Sequence, residues 1–413
     1  VAIFLVVGHA VCAERSGEAG ERWRTDRFEG SRVKSIVLQG NDRTREVVVR
    51  RALSVAPGDP YTADTAERIE EDLAELGLFS SIEIYATPAP DGVEVDIVLE
   101  ERWTLIPIPF MAIDSGQIGG GLFAIERNLF GLNKQLIAGG GYSTEGFTAV
   151  LAYNDPSLFG SRWVGSLSAG AGRQELETAG LAYDERWEYR AETLTLSGDL
   201  GYRFTEWLTV RGGMSYEQLE VLQSDRPETV SEGGSSYVRY RLESSVERPF
   251  GEGRRLAYFR ERYRIGATLT LLQEPLRPSA SGSAGVDVGL FRDQRLGLKL
   301  RGAAGDLPGL IAPRLGGRPT QRPVHSNTVV SNRYLSHAVE YELPLFRPDW
   351  ATVTLLSFYD LGYDFDSEEL LHGAGGGVRF YLSRVAIPAL GFYAAWNAAE
   401  QYGLFNVSFG RRL

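Results

Sequence analysis

Asp360 is the acidic residue with the most exacting neighbourhood in this 413-residue chain. Around it, Val353, Leu355, Tyr359 and Leu361 share one parity, and Thr352, Thr354, Asp360 and Gly362 share the other. In extended backbone this puts Asp360 on the polar face of a strand. A carboxylate on a crowded inner face calls for an arginine, whose planar fork can pair with it bidentately. The other chemistry-bearing residues point away from catalysis. His9, His325, His337 and His372 have no metal-ligand spacing. There is no G-x-S-x-G elbow and no Walker loop. Asp364-x-Asp366 and Glu368-Glu369 read more readily as solvated loop charges than as a weak calcium site. No catalytic residue, metal or cofactor is expected.

The elements that must position Asp360 are short alternating strands. Leu194, Leu196, Leu200, Tyr202 and Phe204 alternate with Thr193, Thr195, Ser197, Asp199, Gly201 and Arg203. Tyr263, Ile265, Ala267, Leu269 and Leu271 alternate with Arg262, Arg264, Gly266, Thr268 and Thr270. Strands of this length, with Arg and Glu on the polar face, fit a transmembrane β-barrel with lipid outside and a wet lumen inside. Residues 103–413 divide into sixteen such strands, near 103–112, 117–127, 133–142, 145–154, 161–172, 185–203, 206–219, 235–247, 254–272, 282–292, 295–303, 334–345, 350–360, 373–382, 385–396 and 402–412. The predicted fold is mainly β: a 16-stranded antiparallel transmembrane barrel preceded by one small βααββ domain.

Val1 to Ala13 reads as the tail of a secretory signal peptide ending at Val11-Cys12-Ala13. Cys12 is the only cysteine, so its removal leaves no thiol chemistry and no disulfide framework. A charged leader covers 14–32. The net charge of −11 argues against a nucleic-acid partner. After residue 13 no apolar run approaches the roughly 20 residues of a spanning helix, so any membrane crossing is by a closed barrel.

Residues 33–102 read as the small domain. A strand, VKSIVLQG, runs to Gly40-Asn41, and a helix begins near Thr44 as N-cap. After the Pro57-Gly58-Asp59-Pro60 turn, a second helix from near Thr62 carries Ala66, Ile69, Leu73 and Leu76 on one face and stops at Gly77. Two strands follow, marked by Ile82 and Ile84 and then by Val93, Val95, Ile97 and Leu99.

This order, with Gly40-Asn41, Arg50, Gly58 before Tyr61, Gly77-Leu78-Phe79 and Val95 to Glu100, resembles a POTRA domain of the BamA/TamA-like outer-membrane assembly superfamily. The resemblance continues through Glu126-Arg127-Asn128-Leu129-Phe130-Gly131, Asn154-Asp155-Pro156 with Phe159-Gly160, and Glu340-Tyr341-Glu342-Leu343-Pro344-Leu345. Phe358-Tyr359-Asp360-Leu361-Gly362 matches the family's F-x-D-x-G on strand thirteen. In that family the long loop before strand twelve folds into the lumen and presents an arginine, from a Val-Arg-Gly-aromatic motif, to this aspartate. The irregular stretch from Gly302 to Asn332 is the matching loop, and Gln321-Arg322-Pro323-Val324 follows Gly316-Gly317 within it. Arg322 is the best match and Arg318 the second candidate. Pro323 stands where glycine is expected, and Val324 where an aromatic is. The resemblance therefore implies a lumenal latch of Arg322 and Asp360, with Gly362. Swapping the charges of both residues is expected to restore what either single swap damages.

The resemblance also implies a lateral seam between strand one (Trp103 to Ile113) and the last strand, where Phe405, Val407 and Phe409 alternate with polar residues. Gly119 to Gly121 and Gly139 to Gly141 read as easing curvature or leaving lumen space, with weaker strands near the seam as the alternative. The function it implies is non-enzymatic protein transport in the bacterial outer membrane. A periplasmic POTRA receives an unfolded outer-membrane or secreted client by adding a strand to its sheet edge, and the barrel inserts or translocates it. Outer-membrane lipid and accessory lipoproteins or periplasmic proteins are the other implied partners. The alternatives are a dedicated two-partner-type secretion pore for one passenger, and a passive porin.

Overall fold

The computed structural model describes residues 28–114, 117–143, 146–179, 186–225, 232–250, 259, 261–274, 276–316, 321–324, 329–382 and 390–409. The apolar segment 1–13 and most of the leader lie outside the described residues, as does Arg318.

The small domain has the order β1 (Val33–Gln39), α1 (Glu46–Ala52), α2 (Thr65–Leu76), β2 (Phe79–Ala89) and β3 (Gly92–Glu101). Its sheet order is β1-β3-β2, with β1 parallel and β2 antiparallel to β3. Alternating Val93, Val95, Ile97 and Leu99 of β3 are buried against Val49 of α1 and Ile69 and Leu73 of α2. Both helices start later than the sequence suggests. The Thr65 hydroxyl accepts the Thr62 N–H at 2.8 Å, one turn inside the expected start of α2.

Thr44 is not the cap of α1, because it is committed elsewhere. Its N–H donates to Glu101 Oε1 at 2.6 Å, and its buried hydroxyl accepts from Asn128 Nδ2 at 2.9 Å. That bond crosses from the small domain to the end of the second barrel strand. Beside it the Arg45 N–H donates to the Gly131 carbonyl at 2.9 Å, and Arg45 Nε donates to the Phe130 carbonyl at 3.1 Å. Gly131 is required there: its φ is +72°, and a Cβ would lie 2.1 Å from the Arg43 carbonyl oxygen. The N-L-F-G turn thus docks the small domain under the barrel.

The barrel runs through β4 (Leu105–Asp114), β5 (Gln117–Leu129), β6 (Lys134–Ser143), β7 (Gly146–Asp155), β8 (Trp163–Ala179), β9 (Arg186–Arg203), β10 (Leu208–Ser224) and β11 (Gly233–Pro249). It continues through β12 (Arg262–Leu272), β13 (Arg277–Gly289) and β14 (Arg295–Gly305). Two short strands, β15 (Arg314–Leu315) and β16 (Val329–Val330), belong to the inward loop, and β14 pairs directly with β17 (Arg333–Phe346). The last strands are β18 (Ala351–Asp364), β19 (Glu369–Leu382), β20 (Leu390–Asn397) and β21 (Tyr402–Phe409). Sixteen strands therefore form the wall, each antiparallel to the next in chain order. Among the described residues, β8 to β11 have 17 or 18 residues each, and β20 and β21 have 8.

The expected alternation is present. Leu194, Leu196, Leu200, Ile265 and Leu269 face outward and are exposed. Inward, Ser168 and Ser197 share a 2.6 Å hydrogen bond, and Arg241 reaches Asp199 at 2.8 Å. No described helix is long and apolar enough to cross a membrane. Several boundaries depart from expectation: β8, expected over 161–172, runs to Ala179, β10, expected over 206–219, runs to Ser224, and others differ as follows. The first strand starts at Leu105, after Trp103, whose exposed ring lies 5.7 Å from the Arg43 guanidinium carbon. β13 starts at Arg277 and ends before Phe291, because its first half, Ser279-Ala280-Ser281-Gly282-Ser283, is too small to show an apolar parity. The stretch from Gly302 is not wholly irregular, since β14 extends to Gly305 and β15 and β16 form a small hairpin.

Candidate functional site: the lumenal loop and its charge network

The loop between β14 and β17 enters the lumen and is fixed at several depths. Near its base, Asn332 exchanges two hydrogen bonds with the Leu307 backbone, both at 2.9 Å. Val329 pairs with Ala179 of β8, and Arg314 donates to the buried Tyr189 hydroxyl. Leu315, Val324, Val329 and Leu371 form a small apolar cluster, so Val324 fills space where the family motif has an aromatic ring.

At the loop's tip Arg322 meets β18. Its N–H and its Nε donate to Asp360 Oδ2 at 2.9 and 2.8 Å, and Nη2 donates to Oδ1 at 2.5 Å. Nη1 donates to Glu340 Oε2 at 2.6 Å. The guanidinium carbon lies 3.7 Å from the Phe358 ring centroid. Both charged residues are buried, Arg322 with 4% and Asp360 with 1% of its surface exposed. Gly362 leaves room for Gln321, whose Nε2 would lie 2.7 Å from a Cβ there. Pro323, in place of the motif's glycine, is accommodated by Gly373 on β19, where a Cβ would lie 2.6 Å from the Pro323 Cβ.

Below the tip lies a network that motif reading did not find. Arg295 donates to Asp287, Glu340 and Glu342 at 2.5, 2.7 and 2.7 Å. Arg379 donates to Glu340 and Glu342 at 3.0 and 2.8 Å. Tyr381 and Thr354 donate hydroxyls to Glu342, and Arg264 pairs with Asp287 at 2.7 Å. Arg264, Arg295, Arg322 and Arg379 face Asp287, Glu340, Glu342 and Asp360, so formal charge cancels. Buried ions persist when paired and hydrogen-bonded in this way, and here Arg379 Nε is the one buried nitrogen of these arginines left without a partner. A signal was available: Glu340 and Glu342 share the inward parity of β17 within a segment already singled out. Their partners lie 45 and 39 residues away for Glu340, beyond what spacing reveals.

Two of the candidate calcium ligands, Asp364 and Asp366, are engaged by donors of the chain itself. Asp364 accepts from the hydroxyls of Ser331 and Ser367 at 2.6 and 2.8 Å. Asp366, in the turn after β18, accepts the Asn332 and Arg333 N–H groups at 2.7 and 3.1 Å and Arg333 Nε at 2.7 Å. No cluster of His, Cys, Asp and Glu suited to a metal occurs among the described residues. Burial alone would raise the Asp366 carboxyl, but these donors hold it below the ordinary carboxylate value. A depressed folded-state pKa gives stability that is present above the unfolded value and lost as pH falls through the folded one. Asp366→Asn should therefore lower the urea midpoint at neutral pH. The gap from wild type should close as the solution is acidified below the carboxylate range; a gap independent of pH would contradict this.

Of the proposed seam residues, Ile113 stands in β4 opposite Ile118, and Phe405, Val407 and Phe409 stand in β21 opposite Ala394, Phe392 and Leu390. Phe405 projects outward and is exposed. Trp103 precedes the strand.

A barrel of sixteen strands with a lipid-facing apolar surface and a docked βααββ domain is an outer-membrane protein with a periplasmic module. Family comparison gives the same answer. Residues 31–102 match the POTRA model, described as a surface antigen variable number repeat, and residues 128–248 match the Omp85 superfamily domain. The outer membrane protein assembly factor BamA of Neisseria meningitidis serogroup B is 27% identical over 200 residues, 46% of this chain and 24% of that protein. The chain spans about a quarter of the length of the first curated relatives it matches. BamA from Haemophilus ducreyi lacking POTRA domains 1–3 is similar in fold, with a TM-score of 0.54 at 15% identity, covering 92% of this chain and 84% of that one. CdiB from Acinetobacter baumannii has a TM-score of 0.62 at 14% identity, covering 92% and 73%. The POTRA and Omp85 matches and the BamA relatives support the Omp85, BamA/TamA-like superfamily, and with it an outer-membrane protein whose POTRA domain is periplasmic.

Proposed function

We propose that this protein is an outer-membrane protein assembly or translocation factor. Its POTRA domain receives an unfolded client and its barrel inserts or passes that client at the seam between β4 and β21. The observation that carries this reading is the POTRA module docked through the N-L-F-G turn onto an Omp85-type barrel. Docking fixes the periplasmic sheet relative to the barrel wall, so a captured segment is delivered to a defined place. The mechanism is non-covalent. Unpaired N–H and C=O groups on a sheet edge template an incoming strand. Arg322 and Asp360 act as a latch that holds the inward loop while this happens. A passive pore fits less well, because the loop and its neutral charge network occupy the lumen.

The test is assisted insertion. Purified protein in liposomes is challenged with a urea-unfolded outer-membrane barrel, and insertion is scored by protease protection against empty liposomes. Accelerated insertion supports the reading. No acceleration, with a correctly folded barrel, favours a secretion pore dedicated to one passenger.

A further inference from the structure

Beside the latch, β19 is stripped of side chains at Gly375, Gly376 and Gly377. The strands on either side, β18 and β20, are not neighbours, since each pairs with β19. Their inward rings nevertheless meet. Phe358 of β18 and Tyr393 of β20 pack edge to face, with centroids 5.5 Å apart and planes at 87°. Both rings are buried. They meet because β19 offers nothing between them. A Cβ at Gly375 would lie 2.3 Å from Phe358 Cζ, and one at Gly377 would lie 2.7 Å from Tyr393 Cβ. The Arg322 guanidinium also lies over Phe358, 3.7 Å from its centroid. Tyr393 stands opposite Asn406 of β21, the final strand. Arg322, Phe358 and Tyr393 thus form one continuous stack from the loop's tip, across β19, to the strand that holds the seam strand.

We infer that Tyr393 is a positioning residue that couples the latch to the last strand: Arg322 seated on Phe358 presses the ring pair together and holds β20, and through it β21, in register. Release of Arg322 loosens the pair and frees β21. This rests on the latch reading of Arg322 and Asp360. Coupling needs contiguous packed groups whose arrangement both ends can bias, and the glycine run makes such a contact possible across a strand.

The test is amide hydrogen exchange of the full chain in lipid nanodiscs, read separately on the loop tip (321–324) and on β21 (402–409). Tyr393→Leu, which removes the ring, should speed exchange in β21 about tenfold, and Tyr393→Phe, which keeps the ring, should speed it much less. Tyr393→Met, which is more accommodating in a packed site, is read alongside Tyr393→Leu. In an Arg322→Ala background, Tyr393→Leu should add nothing further. Effects of Tyr393→Leu and Arg322→Ala that multiply would overturn the coupling while the latch reading stands. Unchanged exchange at both the loop tip and β21 in Arg322→Ala would overturn the latch reading, and the coupling with it. Slow β21 exchange in Tyr393→Leu would overturn the coupling alone.

Discussion

Arg322→Ala should destabilise the barrel by about 3–5 kcal/mol, the cost of leaving buried partners of an ion pair uncompensated. The substitution leaves Asp360 with only the residue-322 N–H from the loop and takes one donor from Glu340. The measurement is the urea midpoint of unfolding, followed by the heat-dependent mobility of the barrel on a gel. Arg322→Lys should recover only part of the loss, because an ammonium cannot reproduce the fork that reaches Asp360 and Glu340 together. The geometry also revises the expected charge-swap result. Arg322→Asp with Asp360→Arg places the new carboxylate against Glu340, so the double swap should remain well below wild type. Adding Glu340→Gln should improve it. Complete rescue by the double swap alone would show that Glu340 contributes nothing to the latch.

A loss of similar size is expected from Arg295→Met. Arg295 is the only described residue that bridges Asp287 to both Glu340 and Glu342. Its removal leaves three buried carboxylates sharing Arg264, Arg322 and Arg379, with like charges no longer separated by a cation. We expect a cost of about 3–5 kcal/mol from the broken network. Arg295→Met combined with Glu342→Gln should be markedly less damaging, because net charge is restored and only hydrogen bonds are lost. The comparison is again the urea midpoint. A double variant as unstable as Arg295→Met would mean that shape at Arg295, not charge, dominates.

How much of this was legible in the sequence depended on side-chain contrast. Strands such as β9 and β12 declared themselves, because lipid selects large apolar residues at every second position and the lumen tolerates Ser, Thr, Asp and Arg. The start of β13 did not, because Ser, Ala and Gly suit both faces. The inward orientation of Asp360 followed from parity alone, whereas Arg322 as its partner came from family likeness. Arg295 and Arg379 lay beyond both routes. Each sits at an ordinary polar position, and only the register of β14 against β17 and of β18 against β19 brings them to Glu340 and Glu342. Thr44 shows the same limit at close range. Its local signal is a helix cap, but a partner 84 residues away claims its hydroxyl.

The inward loop has a consequence for the order in which the chain is built. Val329 meets Ala179 and Arg314 meets Tyr189, so the loop's anchors on one wall are made long before it in the sequence. Arg322 finds Asp360 only in a strand made after it. A finished wall offers a loop of this bulk fewer ways in than an open sheet does. The loop is most readily gathered onto the sheet while that sheet is still an open, curling surface, and the last five strands wrap it as they add. Contacts so distant in sequence are slow to form. The vulnerable interval in this protein's own biogenesis therefore falls between completion of β14 and arrival of β18, when the loop's arginine is inside and its aspartate has yet to be placed.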